Sequence, residues 1–191
     1  MLTESKMLPL GTKAPSFELT DTVSGKKIGP ETFRDRKALL VMFICQHCPY
    51  VQHVKGELSK LGKDYKDKGL GIIAVSANDP EAYPQDAPKE LSSFAKKEGF
   101  DFPLVFDESQ HTAKAYSAVC TPDFFLFGKD RSLVYRGQLD DSRPGNGKPV
   151  TGKDLRAAID SALAGKPADA RQKPSAGCSI KWKPGNEPAG R

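Results

Sequence analysis

The sequence predicts an α/β fold, with a central sheet that carries parallel strands, helices on both faces and a β-hairpin at the N-terminal end. Three observations predict it. Residues 38–44 and 70–77 are continuous apolar runs, as expected of strands buried on both faces. Between them Val51, Val54, Leu58, Leu61 and Tyr65 recur at spacings of three and four, one face of an amphipathic helix. A strand, a helix and a second strand in that order imply parallel pairing through a right-handed crossover.

The remaining elements follow in chain order. Residues 8–30 alternate short β-like pieces with turn residues, and Ser24-Gly25 reads as the turn of a hairpin. Gly69 closes the first helix. Residues 78–88 hold three prolines and read as a loop. Residues 89–98 read as a helix with Leu91, Phe94 and Ala95 inward, residues 102–106 as a short strand, and residues 111–117 as a short helix. Residues 123–127 and 133–139 form a strand pair joined by the loop Gly128-Lys129-Asp130-Arg131. Thr151 opens the last helix, with Asp154 as its capping-box partner. Leu155, Ile159 and Leu163 supply that helix's inner face, and Gly165 and Pro167 stop it.

The chain of 191 residues has room for one hydrophobic core. Residues 1–165 are expected to form the domain, and residues 166–191 a basic Pro/Gly-rich tail. That tail holds six Lys or Arg against two Asp or Glu, most of the net charge of +5. Its charges are sparse and its one aromatic is Trp182, so a tail packed along its own domain is expected rather than a nucleic-acid partner. No apolar run reaches membrane-spanning length. The opening MLTESKMLPLG lacks the apolar core of a signal peptide, which points to the cytoplasm.

Four cysteines are too few for a disulfide scaffold and point to redox or metal chemistry. Cys45 and Cys48 stand where the first buried run gives way to the first helix, in the stretch Cys45-Gln46-His47-Cys48-Pro49. Unpaired N–H groups and a partial positive charge at a helix start stabilise a thiolate. Cys45, at the corner, is expected to be the exposed nucleophile, and Cys48, one turn in, the buried resolving thiol. Pro49 fits the first turn, where a missing N–H costs little. His47, with Gln46, is a candidate for tuning the pair: an imidazole beside the thiolate favours the reduced form. The expected potential then lies between about −270 mV, as in thioredoxin, and about −120 mV, as in a strong periplasmic oxidant. The other reading of His47 is a solvent-facing helix residue. A zinc site wants a second ligand pair, whereas Cys120, Cys178, His53 and His111 are scattered singles, so no metal or other cofactor is expected.

A second landmark is Cys120-Thr121-Pro122-Asp123, just before the apolar stretch at 123–127. Proline cannot donate to a sheet, so at a strand's start it reads as a cis peptide bond or as an ordinary loop proline. Cys120 and Cys178 are candidate accessory thiols, Cys120 also reading as a small buried hydrophobe. The tail bears Ile180, Trp182 and Cys178, and docking beside the pair would let Cys178 resolve a disulfide or a sulfenate. The loop at 78–88, with Tyr83, follows a parallel strand at the edge where ligands gather.

With Cys-x-x-Cys after the first buried strand and Thr-Pro before a hairpin, the chain resembles the thioredoxin superfamily. The stretches GTKAPSFELTDTVSGK, FPLVFDESQHTAKAYSAVCTPDFFLF and VYRGQLDD look like the alkyl-hydroperoxide-reductase/thiol-specific-antioxidant branch, over about residues 8–165. The resemblance implies a thioredoxin-like fold with a central mixed sheet, a cis Pro122 facing the cysteines, and Thr121 offering its backbone to substrate. Departures are plain. Cys45 stands where peroxiredoxins have threonine, Cys48 aligns with their peroxidatic cysteine, and their peroxide-polarising arginine is replaced near Thr121, so weak peroxide turnover is expected. Ile44 stands where thioredoxin has tryptophan, and residues 36–44 offer no buried acid. Glu81, Asp86 or a water is left to take the Cys48 proton.

The leading expectation is a thiol–disulfide oxidoreductase of cell redox homeostasis. It would act on protein or small-molecule disulfides or dithiols, be served by a separate reductant system, and use neither nucleic acid nor membrane. A thiol peroxidase, an antioxidant enzyme with Cys48 peroxidatic and Cys45 resolving, is the alternative. The third reading is a non-catalytic module that senses oxidation or binds metal.

Overall fold

The computed structural model describes residues 2–188; Arg191, counted above in the basic tail, lies outside them. Ten strands and four helices follow in the order β1 (Leu2–Glu4), β2 (Leu19–Thr20), β3 (Lys27–Ile28), β4 (Ala38–Phe43), α1 (Pro49–Tyr65), β5 (Leu70–Ser76), α2 (Pro88–Glu98), β6 (Leu104–Phe106), α3 (His111–Ala115), β7 (Cys120–Thr121), β8 (Asp123–Phe127), β9 (Leu133–Gly137), α4 (Lys153–Leu163) and β10 (Ala176–Ser179), among the described residues. The main sheet has the order β6-β5-β4-β8-β9. Strands β4, β5 and β6 run parallel, β8 runs antiparallel to β4, and β9 runs antiparallel to β8.

Strand β4 is central and every one of its residues is buried, which is why its sequence does not alternate. Its side chains feed two cores. Leu40 and Met42 pack with Leu58 and Leu61 of α1, Leu91 of α2 and Leu155 of α4 on one face. Leu39, Val41 and Phe43 pack with Phe125, Phe127 and Tyr116 on the other. Each fully buried Leu or Phe contributes about 1.5–3 kcal/mol by leaving water. Val51, Val54, Leu58, Leu61 and Tyr65 are all buried, so the spacing of three and four located the inner face of α1. Among the described residues no helix is long and apolar enough to cross a membrane.

Several boundaries differ from expectation. The N-terminal hairpin is β2 paired with β3, and its turn is tied by Ser24 donating twice to the Asp21 carboxylate. Strand β9 stops at Gly137 rather than Leu139, because the returning tail crosses there. Gln138 N donates to Lys173 O, and a Cβ at Gly137 would collide with that carbonyl. Helix α4 starts after Gly152, not at Thr151. Lys153 N donates to Thr151 Oγ1, Asp154 N and Leu155 N to the Leu139 carbonyl, and the Asp154 carboxylate accepts from Gln138 instead of closing a box.

The tail supplies a strand that was not anticipated. Strand β10 lies between β1 and β7, with Cys178 opposite both Leu2 and Thr121. Ile180 and Trp182 are buried in the second core. The C-terminal end of β4, the C-terminal end of β5 and the start of β8 meet at one edge, where Phe43 pairs with Val75 on one side and Asp123 on the other. The tail crosses that same edge.

Candidate active site

Cys45 lies two residues past the end of β4, after Ile44, and Cys48 is the N-cap of α1, with Pro49 at its first position. Both converge on one residue. Cys45 Sγ lies 3.4 Å from Thr121 Oγ1, and Cys48 Sγ lies 3.3 Å from the Thr121 carbonyl oxygen. The Thr121–Pro122 peptide bond is cis. All four cysteines are unbridged thiols.

One expectation fails here. Cys45 is not exposed: it is 1% accessible and Cys48 0%. The corner is covered from three sides, by Thr121, by the loop at 78–88 and by the tail strand. The donors of the site also converge on the other sulfur. The Cys48 thiol is pulled down to about 4, first by the hydrogen bond from the Cys45 thiol, then by those of Cys178, Thr121 and the Val51 N–H. Burial opposes this, as does the Thr121 carbonyl, which only a protonated thiol can use; the donors outnumber it. Cys45 moves the opposite way. Its thiol is held well above the ordinary range by donating to Cys48, by burial and by the negative charge of Asp86.

Asp86 organises the Cys45 side. It is fully buried in a short 3-10 turn at Pro84–Asp86. Its carboxylate accepts from Gln46 N at 2.7 Å, His47 N at 3.2 Å and Asn78 Nδ2 at 2.8 Å. Its Oδ2 also pairs with His47 Nδ1. His47 therefore faces Asp86 and Cys45, and its ring stacks on Tyr83 with centroids 4.7 Å apart. Gln46 acts through its backbone, whose carbonyl also accepts from Gln52 Nε2. Glu81 is exposed, so of the two acids weighed for proton transfer only Asp86 reaches the site.

Cys45, His47 and Asp86 bring one ligand atom each to within 4.8 Å of one another. Three such ligands match the count of a catalytic zinc site. However, both carboxylate oxygens already accept hydrogen bonds, so an ion would have to displace partners that hold the loop.

Cys120 is fully buried, its thiol raised mainly by burial, in keeping with a small hydrophobe. Cys178 is different. It is half-buried, packs against the core cluster that contains Cys45 and Cys48, and its thiol is pushed up to about 11, mainly by burial and then by its hydrogen bond to Cys48.

Two buried polar residues were missed from sequence. Asn78 links Asp86 to the tail, since its Oδ1 accepts from Lys181 N. Asp123 stands beside Phe43 on the neighbouring strand; it is 0% accessible, Oδ2 has no partner, and burial raises its carboxyl well above the usual range. The signal was an aspartate at the head of an otherwise wholly apolar strand.

Residues 10–136 match the AhpC/TSA family. A thiol-disulfide oxidoreductase ResA from Bacillus thuringiensis subsp. konkukian is 27% identical over 69% of this chain and 71% of its own length. A solved structure of an uncharacterized conserved protein from Geobacillus kaustophilus is 51% identical, covers 96% of this chain and 97% of its own, and superposes with a TM-score of 0.94. The thioredoxin domain of a thiol-disulfide oxidoreductase from Bacteroides vulgatus, 21% identical over 69% of this chain and 90% of its own, shares the fold with a TM-score of 0.58. The chain belongs to the AhpC/TSA family and has a thioredoxin-like fold with a central mixed sheet.

Proposed function

We propose that the protein is a thiol–disulfide oxidoreductase that cycles Cys45 and Cys48 between dithiol and disulfide. The observation that carries this reading is the pairing of two cysteines on one threonine at the strand–helix junction, one a stabilised thiolate and the other a thiol poised beside it. Similarity to enzymes named thiol-disulfide oxidoreductase supports the same chemistry, with protein thiols as the general substrate class.

The roles follow from the environments. In the reducing direction the Cys48 thiolate attacks one sulfur of a disulfide and expels the other as thiolate. The Cys45 thiol passes its proton to the first departing sulfur and attacks Cys48 Sγ; the Cys45–Cys48 bond forms, the Cys48–substrate bond breaks and the second substrate sulfur leaves as thiolate. Two electrons leave the protein and two thiols are formed. Run in reverse, the pair oxidises a dithiol. A low thiolate pKa stabilises the reduced pair, which favours the oxidising direction and a potential above about −270 mV. Pro122 borders the pair, but the Thr121 backbone expected to seat a substrate chain is already paired with the tail strand β10.

One observation favours a second reading, a thiol peroxidase. The thiolate is Cys48, the residue that aligns with a peroxidatic cysteine, and it sits at a helix N-cap. Peroxide would convert it to a sulfenate that Cys45 condenses with, releasing water. Insulin reduction and peroxide consumption, run side by side on wild type, Cys45→Ser and Cys48→Ser, separate the two. Disulfide turnover lost in both variants, with peroxide consumption near background throughout, supports the oxidoreductase. Peroxide consumption lost only with Cys48→Ser supports the peroxidase. A stoichiometric metal in the purified protein, with neither activity, would support the binding module instead.

A further inference from the structure

A buried pair poses a difficulty for any oxidoreductase, because a substrate sulfur must reach it. Cys45 and Cys48 are 1% and 0% accessible. Cys178 sits on the tail strand that closes the site, directly opposite Thr121, the residue that both buried sulfurs touch. It packs on the cluster containing the pair yet is only half-buried. The tail is built into this position. Ser175 Oγ donates to the Pro122 carbonyl at 2.6 Å, Ile180 N donates to Val119 O, and Lys181 N to Asn78 Oδ1. Gly177 crosses Thr121 so closely that a Cβ would collide with its carbonyl oxygen.

We propose that Cys178 is the port of the site, a third redox thiol that exchanges with the buried pair through a Cys48–Cys178 disulfide and meets the substrate's sulfur in place of a direct contact with Cys48. This rests on the Cys45–Cys48 cycle proposed above. Starting from the Cys45–Cys48 disulfide, Cys178 gives up its proton and attacks Cys48 Sγ. The Cys48–Cys178 bond forms, the Cys45–Cys48 bond breaks, and Cys45 leaves as a thiolate that takes the proton. A substrate thiolate then attacks Cys178 Sγ, forming a mixed disulfide and expelling Cys48 as thiolate. The second substrate thiol attacks the substrate sulfur of that mixed disulfide, releasing oxidised substrate and the Cys178 thiol. The substrate loses two electrons and the buried pair gains them; no other oxidant is required.

The environments set this order. The sulfur expelled by the substrate is Cys48, whose low pKa makes it the better leaving group. Part of the upward push on Cys178 comes from Cys48, and that part disappears once Cys48 is in a disulfide, whereas the Lys181 charge and the Tyr50 N–H that favour a Cys178 thiolate remain. Cys178 is thus quiet while the pair is reduced and able to attack when it is oxidised.

The test traps the intermediate. Cys45→Ser protein is treated with one equivalent of diamide, blocked with iodoacetamide and digested with trypsin. The expected product is an intramolecular link between peptides 38–55 and 172–181, in most of the protein. Cys48 and Cys178 both recovered alkylated, or linked only between chains, would overturn the proposal. In parallel, Cys178→Ser is expected to form the Cys45–Cys48 disulfide with diamide as wild type does, yet to turn over a dithiol peptide at least about tenfold more slowly. An unchanged rate would overturn the port. Failure of the cycle itself shows separately, as a wild type that forms no Cys45–Cys48 disulfide at all.

Discussion

Cys45 and Cys48 are three residues apart, buried alike and within reach of the same threonine, yet their surroundings push them in opposite directions. The Cys45 side is built around a buried carboxylate, Asp86, with His47 and Tyr83 layered on it. The Cys48 side is built from donors: a helix N-terminus, a threonine hydroxyl and two thiols. Negative charge on one side and converging donors on the other decide which sulfur ionises. Position within the motif does not. The lesson is that a Cys-x-x-Cys spacing identifies a pair but leaves the labour within it to be set by residues 38 and 73 positions away in the chain, Asp86 and Thr121.

The largest expected effect comes from removing the cover on the Cys48 side. Gly177→Ala places a methyl group against the Thr121 carbonyl. Overpacking of this kind costs about 1–3 kcal/mol. The expected outcome is a lower thermal midpoint together with faster alkylation of Cys48, read by mass spectrometry under native conditions. Alkylation unchanged from wild type would mean that the tail does not shield the pair.

Asp86→Asn tests the Cys45 side. It removes a charge that raises the Cys45 thiol and weakens the acceptor of four hydrogen bonds. The Cys45 pKa is expected to fall toward the ordinary thiol value, with a loss of about 1–3 kcal/mol from the strained donors. A Cys45 titration that stays where it was would assign its shift to Cys48 and burial alone.

A third test concerns pH. The folded-state pKa of Cys48, about 4, lies below the unfolded thiol value of about 8.5. Its thiolate therefore stabilises the reduced fold fully above about pH 8.5, and that contribution is lost as pH falls toward 4. The difference in thermal midpoint between reduced wild type and Cys48→Ser is expected to shrink steadily across that window. A difference independent of pH contradicts it.

How legible this comparison was in the sequence depends on range. Strands β4 and β5 and helix α1 were legible because their periodicities are local and their burial leaves no polar interruption. So was the cysteine pair, since a strand before it and an amphipathic helix after it place it at a helix start. Strands β1, β7 and β10 were not. They are two to four residues long, two of them lie in polar or Pro/Gly-rich sequence, and they exist as strands only because they pair across the chain. Asp86 read as one acid among several in a proline-rich loop, since nothing local tells a buried carboxylate from a solvated one. The exposure expected of Cys45 failed for the same reason: its covers, Thr121, Asp86 and the tail, are all distant in sequence.

The central claim is that Cys48 is the thiolate of the site. The most direct measurement is the thiolate absorbance at 240 nm as a function of pH, on reduced wild type, Cys45→Ser and Cys48→Ser. The account expects one thiolate in wild type at pH 6, retained in Cys45→Ser with a raised midpoint because the strongest donor is gone, and absent in Cys48→Ser. Absorbance at pH 6 that survives Cys48→Ser and vanishes in Cys45→Ser would contradict it.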